Sequence, residues 1–193
     1  DILHLNYINM GMLSIKEIGR FNIPIVWTLH DSWAFTGGFH LPQEVDKNLF
    51  RFGFDLSEYI KKQKQKHWKD RDITFVCPSK WMYENVKRSE FFTEENTVVI
   101  PNPIDTKIFK PMDKEEARRK YSLDLSKKYI LFGSVNPLGD RNKGFDLLRL
   151  ALENIKLEDT ELLIFGTDEK ILNLPVRSRS LGYIKDEKDM AAL

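Results

Sequence analysis

Short apolar runs alternate with segments of helical period along nearly the whole chain, and this alternation restricts the fold more than any other feature. "DILHL" (1–5), "PIVWTLH" (24–30), "ITFVCPS" (73–79), "TVVIPN" (97–102), "KYILFGSV" (128–135), "ELLIFG" (161–166) and "RSLGYI" (179–184) read as strands. The patterns between and around them predict helices near 11–21, 56–69, 81–87, 113–121 and 144–155. Asp55, three residues before Glu58, has the spacing of a capping box at the start of the second helix. Strands that exchange in this way with helices build parallel α/β sheets, because a parallel pair needs a crossover. The order breaks once. "PNPIDTKIFKPMD" carries Pro101, Pro103 and Pro111 and keeps neither period, so it reads as a semi-rigid connection. Two α/β portions follow, 1–100 and 128–193, with a linker and helix over 101–127.

Composition narrows the function classes. With 193 residues, 41% hydrophobic and 31% charged, the chain can bury the core of one full domain or parts of two. A net charge of +1 gives no general attraction to nucleic acid or to an anionic membrane. One cysteine, Cys77, excludes an intrachain disulfide framework and a multi-cysteine metal site. No apolar stretch reaches the about 18 residues of a membrane span. The opening at a strand and the ending at "KDMAAL" lead us to expect a segment of a longer protein.

Ligands of open α/β sheets bind beyond the carboxyl ends of the strands, and three stretches fall there. His30 and Asp31 follow one strand, and Pro101–Asp105 follow another. The loop "VNPLGDRNKGFDLL" (135–148) places Gly139, Arg141, Lys143 and Gly144 before a helix. Arginine can fork two phosphate oxygens, lysine supplies a point charge, and a helix start adds partial positive charge. The same cations could simply be solvated, with Gly144 easing the turn. His30 could equally bond a neighbouring carbonyl while Asp31 caps the turn. Trp33 and Phe35 could stack on a sugar or seal the loop against the core, the commoner use of aromatics. The basic run "KKQKQKHWKDR" (61–71) reads as a solvated helix face, with Leu56, Ile60 and Trp68 turned inward. His67 falls on that outer face, and His40 lies in a loop without ligand spacing.

Together, "PIVWTLHDSWAFTGG", "VCPSKWMYENV", "VVIPNPIDTKIFKP" and "DRNKGFDLLRLAL" resemble the retaining glycosyltransferases of GT-B architecture (glycosyltransferase family four, group 1). The likeness is strongest to bacterial exopolysaccharide and colanic-acid-type transferases, and it runs over residues 1–193 in the family's order. It implies an α/β fold of two facing Rossmann-like domains, both incomplete in this chain. The first would hold the acceptor and the second the nucleotide sugar. His30 matches the histidine lining the cleft near the transferred sugar, and Asp31 follows it as in the family. Lys143 matches the lysine that contacts the donor diphosphate, with Arg141 assisting. Asn102 belongs to the junction motif, in which Pro103 replaces a usual glycine. Gly166 ends a strand facing the nucleotide, and backbone groups around Tyr183 and Ile184 would meet its base. The family's usual phosphate arginine has no counterpart in "FGSVN". The cysteines of close relatives are absent after "TGG", where this chain has Phe39.

The resemblance implies transfer of a hexose-type sugar, with retention, to a glycan or lipid-linked acceptor in cell-surface polysaccharide synthesis. Lys143 and Arg141 would stabilise the leaving diphosphate, so neither metal nor other cofactor is expected. The expected partners are the nucleotide-sugar donor and the acceptor, with no nucleic acid. The expected location is cytoplasmic, with a peripheral position at the inner membrane face allowed. The paired-glutamate motif is expected beyond residue 193 and the first glycine-rich loop before residue 1, so this chain alone is expected to be inactive. Two alternatives stay open: a non-catalytic nucleotide-sugar-binding scaffold, and an epimerase or phosphorylase on the same fold.

Overall fold

The computed structural model describes residues 1–8, 11–41, 50–51, 54–89, 91, 94–168 and 173–193. It divides into two compact units, Asp1–Pro103 and Ile104–Leu193. Unit 1 carries β1 (Leu3–Asn6), α1 (Ile15–Ile18), β2 (Ile25–Thr28), the short strands β3 (Phe50–Arg51) and β4 (Phe54–Asp55), α2 (Leu56–Trp68), β5 (Ile73–Cys77), α3 (Lys80–Lys87) and β6 (Thr97–Val99). Four of its strands form a parallel sheet in the order β1-β2-β5-β6, while β3 and β4 pair antiparallel. The expectation of a parallel α/β architecture holds. The β3–β4 pair falls in the 39–55 stretch that carries no readable pattern, most of which lies outside the described residues.

Alternation along the strands sets the core of unit 1. Leu5, Ile25, Trp27, Leu29, Ile73, Phe75 and Cys77 turn to one face, where Ile18, Trp68, Met82 and Val86 of the helices cover them. At its centre Trp27 meets Trp33, Trp68 and Phe75, with ring centroids 6.1, 5.4 and 6.0 Å away. Helix α1 is shorter than the expected 11–21. Ser14 and Glu17 close a reciprocal capping box at its start, and Gly19 ends it where a Cβ would lie 2.5 Å from the His67 carbonyl. At the start of α2, Asp55 Oδ1 accepts the Glu58 N–H at 3.0 Å, as its spacing predicts. Strand β6 stops at Val99, just ahead of Pro101, which has no N–H for a ladder.

Unit 2 contains α4 (Lys114–Lys120), β7 (Lys128–Gly133), α5 (Phe145–Glu153), β8 (Thr160–Phe165), β9 (Arg177–Gly182) and α6 (Glu187–Ala191). Its sheet is parallel, in the order β7-β8-β9. One face is closed by Phe145 and Leu152 of α5 against Leu162 and Ile164. Helix α4 is tied in by Arg118, whose guanidinium donates to the Lys127 carbonyl at 2.9 Å and lies 5.4 Å from the Tyr129 ring centroid. Mixed α/β units with parallel sheets are consistent with the GT-B, Rossmann-like fold expected above. Among the described residues no helix is long and apolar enough to cross a membrane.

Candidate functional site

The chemistry-bearing residues gather at the carboxyl edge of each sheet, and each edge is built locally. In unit 1, strands β2, β5 and β6 run parallel in register (Thr28 opposite Val76, Cys77 opposite Val99). His30, Ser79 and Asn102 therefore all follow strand ends on one edge. His30 and Asn102 are exposed, and Ser79 caps α3 by accepting the Met82 N–H at 3.1 Å.

Beyond His30 the chain folds back on itself. Asp31 Oδ1 accepts the Trp33 N–H at 3.0 Å, and its Oδ2 pairs with His40 Nδ1 at 2.8 Å. The Ser32 N–H donates to the His40 carbonyl at 2.8 Å, closing a loop over 32–40. Within it, Thr36 Oγ1 donates to the Phe39 carbonyl and accepts the Phe39 N–H. Gly37 lets the loop lie directly on α2, because a Cβ there would stand 2.7 Å from Ser57 Cα. Asp31 thus caps the turn and also holds a second histidine, His40. Spacing could not reveal that histidine, since the pairing spans nine residues of irregular chain. Trp33 is half-buried against Trp27 and Trp68, and Phe35 is buried in the core. Both are packing residues.

The basic run on α2 is exposed at Lys62, Gln65 and Lys66, as a solvated face predicts, but one of its lysines departs from that reading. Lys64 is fully buried, its ammonium donating to the Trp33 carbonyl and, at 2.8 Å, to the Thr36 carbonyl. It lies 4.2 Å from the Trp33 ring centroid. Burial pulls its pKa down to about 7, against the opposing pull of the Asp31 charge. His67 is half-buried rather than outward-facing, and Leu56, expected inward, is exposed. The helix is rotated so that a lysine, not a leucine, meets the loop carbonyls.

In unit 2 the segment after β7 is a run of small turns. Asn136, at φ +55°, accepts the Gly139 N–H on its Oδ1 at 3.0 Å. Asp140 Oδ1 accepts the Asn142 N–H, and the Lys143 N–H donates to the Asp140 carbonyl at 3.1 Å. These bonds hold Arg141–Lys143 as one tight 3-10 turn, leaving both cationic side chains exposed. Neither makes an ion pair among the described residues. Helix α5 then starts at Gly144 with no side-chain cap on its first N–H groups.

The other two strand ends lie alongside. Ser134 N–H donates to the Phe165 carbonyl at 3.0 Å, and Gly166 N–H donates to the Gly182 carbonyl at 2.9 Å. Gly166 is left-handed at φ +87°, and a Cβ there would stand 2.7 Å from the Ser134 carbonyl oxygen. Gly166→Ala is therefore expected to destabilise unit 2 by roughly 2 kcal/mol or more, since strain and a backbone clash add. Far-UV circular dichroism on heating would measure it, and an unshifted transition would contradict this account of the strand end. Just past β9, Tyr183 is exposed and Ile184 half-buried. Arg141, Lys143, Gly166, Tyr183 and Ile184 thus share the carboxyl edge of unit 2, while His30, Asp31 and Asn102 share that of unit 1.

Comparison with known proteins agrees with this architecture. A glycosyltransferase from Rickettsia africae ESF-5 superposes with a TM-score of 0.57 at 15% identity, over 98% of this chain and 48% of that one. The chain therefore spans about half the length of that protein. No curated protein matches it. The model of Glycosyltransferase Family 4 matches residues 1–108, more than half of the sequence, and the chain accordingly belongs to Glycosyltransferase Family 4.

Proposed function

We propose that this chain supplies the reaction centre of a retaining glycosyltransferase. That enzyme, of which this chain is a part, moves a hexose-type sugar from a nucleotide sugar to a glycan or lipid-linked acceptor, on the cytoplasmic side of cell-surface polysaccharide synthesis. The observation that carries the reading is the donor edge of unit 2. Two cationic side chains, Arg141 and Lys143, project from one locked turn directly ahead of an uncapped nine-residue helix. Bond cleavage at the anomeric carbon leaves the bonding pair on the departing diphosphate, which gains one further negative charge to be stabilised on its terminal phosphate oxygens. Fixed cations and helix-start N–H groups act on that charge without reorganising. No metal is assigned to the step. Tyr183, Ile184 and the backbone at Gly166 border the same edge and suit a nucleoside. On the acceptor edge, His30 orients the sugar or acceptor hydroxyl, and Asp31 fixes the turn that follows it.

The test is nucleoside diphosphate binding by calorimetry, together with transfer from a panel of nucleotide sugars. Both are measured on this chain and on any longer polypeptide that carries it. Lys143→Ala is expected to weaken diphosphate binding at least tenfold and to abolish transfer, while His30→Ala leaves binding intact and removes transfer. Diphosphate binding unaffected by Lys143→Ala would overturn the assignment. Binding with no turnover in the longest polypeptide would favour a non-catalytic nucleotide-sugar-binding role.

A further inference from the structure

The buried lysine of unit 1 is a costly feature for which the core packing gives no need. An ammonium removed from water is tolerated only where acceptors replace its hydration. At Lys64 the acceptors are the carbonyls of Trp33 and Thr36, both in the loop that begins at His30–Asp31. The remaining side of the ammonium faces the Trp33 ring at 4.2 Å and the Trp68 ring at 5.7 Å.

The surrounding helix face is matched to the same loop. Ser57 lies under Gly37, Ile60 lies within 3.0 Å of where a Gly38 Cβ would be, and Lys64 holds Trp33 and Thr36. These positions are three and four residues apart, so a single stripe of α2 supports the whole loop. Trp68, four residues on, donates its indole N–H to the Ile15 carbonyl at 2.8 Å and anchors the far end of the stripe. The loop transmits this support to the strand end. It is closed by Ser32 on the His40 carbonyl and by the Asp31–His40 pair, with His30 immediately before.

We propose that Lys64 is a positioning residue: bonded from below to Trp33 and Thr36, it fixes the loop that orients Asp31, His40 and the exposed His30. It touches no substrate. The inference rests on the transferase reading for its effect on turnover, whereas its effect on the loop stands apart from that reading.

Lys64→Met keeps an unbranched apolar stem, one heavy atom shorter, and removes every donor, and it separates the two. In imidazole nitrogen NMR spectra, the His30 and His40 signals are expected to move while that of His4, which lies on β1 and is bonded to Thr28 of β2, stays. In the polypeptide that shows transfer, kcat is expected to fall at least tenfold with nucleoside diphosphate affinity unchanged within twofold. A merely structural role would lower the folded fraction and both quantities together. A folded Lys64→Met with wild-type histidine signals and wild-type kcat would overturn the proposal. If wild type shows no transfer at all, the functional reading fails and the histidine signals still decide the loop. Should Lys64→Met not fold, the wild type decides through its Lys64 ammonium. The ammonium is expected to be protected from solvent exchange and coupled across hydrogen bonds to the Trp33 and Thr36 carbonyl carbons. A freely exchanging ammonium there rejects the clamp.

Discussion

Trp27→Ala is expected to destabilise unit 1 by about 3–5 kcal/mol, the usual result of truncating a large aromatic in a packed core. Trp27 is 3% exposed and contacts three other rings, so the vacated space cannot close by a single side-chain movement. The measurement is direct because all four tryptophans, at 27, 33, 68 and 81, lie in unit 1. Denaturant unfolding followed by tryptophan fluorescence therefore reads that unit. Unit 2, which closes its own core with Phe145, Leu152, Leu162 and Ile164, contributes to circular dichroism but not to this signal. Trp81→Ala serves as the comparison. Its ring is 53% exposed on α3, and its loss should change stability by less than about 0.5 kcal/mol. Equal effects of the two substitutions would show that the ring cluster is not the centre of the core.

The second large effect is a dependence of stability on pH. The Lys64 ammonium titrates at about 7 in the folded chain, against an ordinary 10.5, because burial disfavours its charge. With the folded pKa below the unfolded one, the unfolded chain binds a proton that the folded chain lacks between about 7 and 10.5. Stability therefore rises with pH through that window and is flat below it as far as this group is concerned. Cys77 acts in the opposite sense. Burial pushes its thiol from 9.0 up to about 11, so above pH 9 the unfolded chain loses a proton that the folded chain keeps. Tyr121 is also raised above its ordinary 10.0 by burial. The Lys64 contribution is thus isolated between pH 7 and 9, where it should amount to roughly 2 kcal/mol at ~1.4 kcal/mol per pH unit. Urea unfolding at pH 7, 8 and 9 should show this rise in wild type and its loss in Lys64→Met. Parallel stability curves for the two chains would mean that the lysine is not held dry.

Much of the fold was legible because its cause is local. "PIVWTLH" reads as a strand, and in the strand it forms, the alternation of side chains puts Ile25, Trp27 and Leu29 in the core. The "GFDLL" helix start was legible for a similar reason, since Gly144 breaks the pattern before Phe145. The candidate residues were legible as strand-end positions, which parallel pairing brings to a common edge. The errors came where a residue type predicts its ordinary surroundings. Lysine ordinarily faces water, and nothing in "KKQKQK" marks the third lysine of the run, Lys64, as different. Its partners lie 31 and 28 residues away, in a loop whose path no local pattern describes.

The order of the seven parallel-sheet strands and of helices α1 to α5, the two parallel α/β units and the placing of His30, Asp31, Arg141 and Lys143 at strand ends follow from periodicity and turn chemistry along the chain. Which carbonyls Lys64 satisfies, that His40 closes on Asp31, and that Gly37 is a contact surface for Ser57 were decided only in three dimensions. The physical reason is one of range. Side-chain period and capping act over a few residues and leave their mark in the sequence. A buried charge, by contrast, is stabilised by whatever acceptors the finished packing brings to it, however distant they are in the chain.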